Sequence, residues 1–165
     1  MRWPACLIFG YITLGVQAGL ARYLAIGSAS PNFVVLMVIF IAMNAPRDAA
    51  LLAAFGLGMF QDVLSQQPLG LCALSYGLVA MVVVGLQQVV YRRHPLTHFS
   101  LALFSSLLTM MVIVLHIVIR GPRLWSPIPS LFYSSLYTAV LAPIVLGLLG
   151  AISGAFAFQS SRRRT

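Results

Sequence analysis

Of 165 residues, 61% are apolar and only 7% are charged, against roughly 25% charged in an average soluble domain, so the chain cannot clothe a water-facing surface in polar groups. Ten arginines, no lysine and two acids give a formal charge of +8, but the arginines stand in short groups between apolar runs rather than on one face, which argues against a nucleic-acid-binding protein. With so few titratable side chains there is little acid–base chemistry to draw on, and neither a nucleophile–base–acid set nor a phosphate-cradling glycine loop is present.

A hydrocarbon core about 30 Å thick takes roughly 20 helical residues to cross, so five or six spans use nearly the whole chain as a single transmembrane domain, residues 1–165. The first span covers residues 3–24, longer than the core of a signal peptide and therefore read as a retained helix. It ends at Arg22 and the Gly27–Asn32 stretch, whose turn formers and proline stop a helix. The second, residues 31–45, contains the apolar run Phe33–Met43, short for a full crossing. After the polar Pro46-Arg47-Asp48 turn comes the third span, residues 49–65, broken by Gln66-Gln67-Pro68-Leu69-Gly70. The fourth, residues 71–91, closes at Arg92-Arg93-His94-Pro95, and the fifth covers residues 97–119. A proline-rich connection precedes the sixth, residues 131–158, and Arg162-Arg163-Arg164 follow. The expected fold is an all-α polytopic membrane bundle of six transmembrane helices with a short second span, the alternative being five helices plus a re-entrant segment at 33–43.

Arginine excess marks cytoplasmic loops. Six spans with the N-terminus inside put seven arginines in the cytoplasm and three outside; the five-span alternative exchanges Arg2 with Arg22 and scores the same. Both place the C-terminus in the cytoplasm and the end of the third span, with Asp62, towards the external side.

Asp62 is the one acid inside an apolar span, and an intramembrane carboxylate costs several kcal/mol unless paired or protonated, roughly speaking. Gly58, Gln61, Asp62 and Ser65 recur at three- and four-residue spacing, a small polar stripe expected to face the bundle or a partner. Asp62 could reach headgroup water, make an assembly contact or relay ions; its candidate ion-pair partners are Arg120 and, with six spans, Arg22. Gly15/Gly19 and Gly150/Gly154 have the spacing that lets membrane helices approach closely, within the chain or in self-association or against a partner helix. His94 and His98 have Pro95 between them, His116 has no acid or thiol nearby, and Cys6 and Cys72 read as apolar filler, so no metal site or cofactor is expected.

From Phe55 to Ser65, with Gly58 and Asp62 at its centre, and on through Pro68-Leu69-Gly70, the sequence resembles the family of the rod shape-determining protein MreD. Ser30-Pro31-Asn32-Phe33, the Pro46-Arg47 turn, Ala73-Leu74 and Leu141-Ala142-Pro143 resemble it in the same order, so the likeness runs over almost the whole chain. It implies a non-catalytic, multi-pass subunit of the bacterial inner membrane within the elongation (rod) complex, supporting lateral peptidoglycan synthesis. It would bind MreC and act with MreB, RodA and a class B penicillin-binding transpeptidase, directly or through MreC. The family carries no catalytic residues to transfer; its signature falls on Gly58, Asp62, Pro68, Leu69 and Gly70, with Pro31 and Asn32 as further partner-binding or assembly candidates. A small-molecule permease, or the substrate-binding subunit of a vitamin transporter, is the competing class.

Overall fold

The computed structural model describes residues 3–19, 23–25, 27, 29–65, 68–86, 95–120 and 128–155; of these, the side chains of 3–7, 95, 120, 128 and 152–155 fall outside the description. The described residues form six α-helices: α1 (Trp3–Gly19), α2 (Phe33–Asn44), α3 (Arg47–Ser65), α4 (Leu71–Leu86), α5 (Pro95–Arg120) and α6 (Ile128–Ala155). Three of them, α3, α5 and α6, are long and apolar enough to cross a membrane unaided, and the other three are shorter apolar helices. The chain is a membrane helix bundle.

Proline sets the helix starts more permissively than the sequence reading expected. Pro95 opens α5, and Pro129 lies in the first turn of α6 rather than in the connection. Both sit where a backbone N–H has no intrahelical acceptor to lose. Arg47 and Asp48, read as part of a turn, belong to the first turn of α3, where a carboxylate meets the positive end of the helix dipole. The Ala50 amide accordingly donates to the Pro46 carbonyl at 2.9 Å.

The short helix α2 is the centre of the bundle. Its sequence is apolar on every face, the signature of a helix surrounded by protein, and ten of its twelve residues are buried. It packs against all five other helices. Around it, α3 and α4 form one tightly joined hairpin and α5 and α6 another. Ala139, Ala142 and Leu146 are among the buried residues of α6, while Ile144 and Leu148 are exposed, as expected for a helix with lipid on its outer side.

At 1.5 Å per residue α2 is about 18 Å long, well short of a bilayer core. The chain reaches its start as non-helical backbone: Asn32 lies against Thr138, ten residues into α6 and so about 15 Å along it. Irregular backbone at such depth is tolerated only where its polar groups are satisfied by protein.

Candidate functional site

Two helix starts, those of α4 and α2, gather the partner-binding or assembly candidates Gly58, Asp62, Pro68, Leu69, Gly70, Pro31 and Asn32. At the first, Gly58 of α3 and Asp62 one turn later share a face. A Cβ on Gly58 would stand 2.4 Å from the Ala73 Cα and 2.7 Å from the Cys72 carbonyl oxygen, so only glycine lets the α3 and α4 backbones touch here. That contact delivers the Asp62 carboxylate onto the N-terminus of α4. Oδ2 accepts the Gly70 amide at 2.8 Å and the Ala73 amide at 3.3 Å, and Oδ1 accepts the Cys72 amide at 2.8 Å.

The accounting of this helix start is complete. The Leu71 amide donates to the Pro68 carbonyl at 3.2 Å, and the Leu74 amide to the Gly70 carbonyl at 2.9 Å. All the orphan amides that a helix start leaves behind are thus satisfied. Gly70 occupies the capping position, with φ of +99°, a conformation open to glycine because it has no Cβ. Lacking a side chain, it cannot cap; Asp62 supplies the acceptor oxygens from the neighbouring helix instead.

Asp62 is 1% exposed, so it reaches amides rather than headgroup water. Of its candidate arginine partners, Arg22 and the side chain of Arg120 lie outside the described residues. The expected polar stripe is narrower than its spacing suggested: Gly58 and Asp62 are buried, Gln61 is half-buried, and Ser65 is exposed, with its hydroxyl donating to the Gln61 carbonyl at 2.7 Å. Leu69, at the tip of the hairpin, is 75% exposed.

At the second helix start, Pro31 and Asn32 lead into α2. Asn32 caps α2 by accepting the Val35 amide on Oδ1 at 3.1 Å, and its Nδ2 donates to the buried Tyr76 hydroxyl of α4 at 3.1 Å. Its own amide donates to the Thr138 hydroxyl at 3.0 Å. Gln17 of α1 clamps the backbone on either side: Nε2 donates to the Pro31 carbonyl at 3.2 Å, and Oε1 accepts the Phe33 amide at 2.7 Å. The Ser30 amide donates to the Ser134 hydroxyl at 3.0 Å. Side chains of α1 and α6 therefore hold one stretch of non-helical backbone, and α4 holds the Asn32 side chain.

Gln17, Tyr76, Ser134 and Thr138 were missed by the sequence reading, although Gln17 sits midway between the two glycines it picked out. Polar residues inside apolar spans are the signal that finds them. Among the described residues, a Cβ at Gly15, Gly19 or Gly150 would meet nothing within 4 Å; no such fact is described for Gly154. The close approaches belong to Gly58 and to Gly10, whose Cβ would lie 3.0 Å from the Leu57 side chain. Among the described residues no group of three His, Cys, Asp or Glu side chains could hold a metal ion.

Both helix starts are built to hold backbone in place. The sequence model of one family, described as rod shape-determining protein MreD, matches residues 1–152. No curated protein matches the chain, and no solved structure does.

Proposed function

The chain belongs to the MreD family of rod shape-determining proteins, and from that premise we propose that it serves as a non-catalytic scaffold of the bacterial elongation complex, binding MreC and supporting lateral peptidoglycan synthesis. MreB, RodA and a class B penicillin-binding transpeptidase would join it directly or through MreC. The observation that carries this reading is the engagement of Asp62: the one acid within a span is committed to three backbone amides. It acts on a partner through what it holds, the Pro68-Leu69-Gly70 turn with Leu69 at its tip.

The surface left for partners is apolar. Phe55, Met59 and Phe60 of α3 are exposed, a strip suited to the transmembrane segment of another protein or to lipid. We place the α3–α4 turn on the external side, where it would meet the partner's periplasmic part, and the C-terminus in the cytoplasm, as the arginine distribution supports; with six spans the N-terminus is cytoplasmic as well.

Co-purification from detergent tests the reading. Wild-type protein should bring down the MreC partner, and Leu69→Arg should weaken that association while leaving the folded yield unchanged. Wild-type protein that fails to retain the partner would overturn the scaffold reading, and undiminished retention by Leu69→Arg would overturn the assignment of the turn.

A further inference from the structure

Helix α6 is 28 residues long and carries Pro143 in its interior, within the Leu141-Ala142-Pro143 stretch, which neither helix start uses. Proline has no N–H to give the carbonyl four residues back, and its ring crowds that carbonyl, so Ala139 loses its ladder partner. The two halves of α6 on either side of this break are held differently. Before the proline, the Ser134 hydroxyl accepts the Ser30 amide and the Thr138 hydroxyl accepts the Asn32 amide, both at 3.0 Å, and the Ser135 hydroxyl donates to the Ser106 carbonyl of α5 at 3.4 Å. Ala139 and Ala142 are fully buried, so this half lies flush against the bundle up to the proline itself. After it, among the described side chains from 144 to 151, Leu146 is the one buried residue.

We propose that Pro143 is a pivot, about which the arm of α6 that begins at Ile144 swings within the membrane while the half before it stays pinned to α2 and α5. A break in the ladder bends a helix at that point, and what holds each side decides whether the bend is fixed or free. On the pinned side three hydrogen bonds reach other parts of the chain, two of them to the backbone that leads into α2. Towards the core the arm offers Leu146, with Val145 and Leu149 partly buried against the cluster around α2. Lipid tails are as apolar as leucine, so no hydrophobic effect holds such a contact closed in a bilayer. An outward swing therefore lifts Leu146 from the flank of α2 and opens that flank laterally, without breaking the bonds at Ser134 and Thr138. The inference stands independently of the scaffold reading.

The test is spin-label distance measurement on full-length protein in lipid nanodiscs, in a background with Cys6→Ser and Cys72→Ala. Leu52→Cys on α3 serves as the common reference, paired with Leu148→Cys on the arm or with Leu136→Cys on the pinned half; all three positions are exposed. The distance from 52 to 148 should be spread far more widely than the distance from 52 to 136. Pro143→Ala restores the missing N–H, so it should narrow the first distribution to the width of the second and leave the second unchanged. Gly147→Ala, whose methyl group would meet nothing within 4 Å, should leave the spread as it is. Equal widths for the two pairs in the protein with Pro143 intact overturn the proposal before any hinge variant is made, and so does a broad 52-to-148 distribution that survives Pro143→Ala. Narrowing by Gly147→Ala as great as that by Pro143→Ala overturns the assignment of the pivot to the proline.

Discussion

The carboxylate of Asp62 and the amide of Cys72, on two different helices, meet at 2.8 Å, so the side chain of α3 does for α4 what a capping residue usually does for its own helix. Asp62→Ala should therefore leave three amides unanswered at once and cost on the order of 2–4 kcal/mol. Asp62→Asn, which keeps one acceptor oxygen, should cost less. Asp48→Ala, on an exposed first turn, should change stability by no more than about 0.5 kcal/mol. Thermal unfolding of the purified variants ranks the three, and rescue of rod shape in cells lacking the protein should follow the same order. Equal behaviour of Asp62→Ala and Asp48→Ala would contradict the capping role.

Gly58→Ala and Gly56→Ala differ by two positions and should differ sharply in effect. A methyl group at 58 meets the backbone of Ala73 at 2.4 Å, whereas at 56 it meets nothing within 4 Å. Backbone cannot rotate away as a side chain can, so Gly58→Ala should push α3 from α4 and cost about 1–3 kcal/mol. Gly56→Ala should be neutral or slightly stabilising, because alanine is the better helix former. Folded yield and unfolding temperature in one detergent decide between them.

Gln17→Leu should destabilise more than Tyr76→Phe. The leucine deprives the Pro31 carbonyl and the Phe33 amide of their partner together, each about 1–3 kcal/mol when buried. The phenylalanine removes one hydroxyl, while Asn32 keeps its bond to the Val35 amide, a loss of about 0.5–1.5 kcal/mol. The order of the two unfolding temperatures checks this.

Cysteine labelling tests the proposed orientation. In a background with Cys6→Ser and Cys72→Ala, Leu69→Cys should react with a membrane-impermeant maleimide in intact cells. Asp48→Cys, at the opposite end of α3, should react only after permeabilisation. The reverse pattern would invert the bundle.

The helices were legible in the sequence because lipid demands long apolar runs and punishes charge, so Arg92-Arg93, Pro68-Leu69-Gly70 and Pro31-Asn32 stand out as boundaries. The importance of Asp62 was legible for the same reason. Its amide partners were not, because amides are invisible in a sequence: three N–H groups at the start of α4 lie within reach. The Gly15/Gly19 spacing is a pattern of the sequence alone. It records where a helix could approach closely, and only the packed bundle shows that the close approaches lie at Gly10 and Gly58. The centrality of α2 was hidden too, since a short apolar run reads equally as a thin span or a re-entrant one.

The bond between the Asn32 amide and the Thr138 hydroxyl joins residues 106 apart in the chain. The start of α2 is synthesised early, yet one of the groups that satisfies it arrives with the last helix. The α3–α4 hairpin joins neighbours in the chain, whereas the Asn32 amide has its partner only once α6 is in place. A chain cut short before residue 138 would leave the Asn32 amide at the centre of the bundle without this partner.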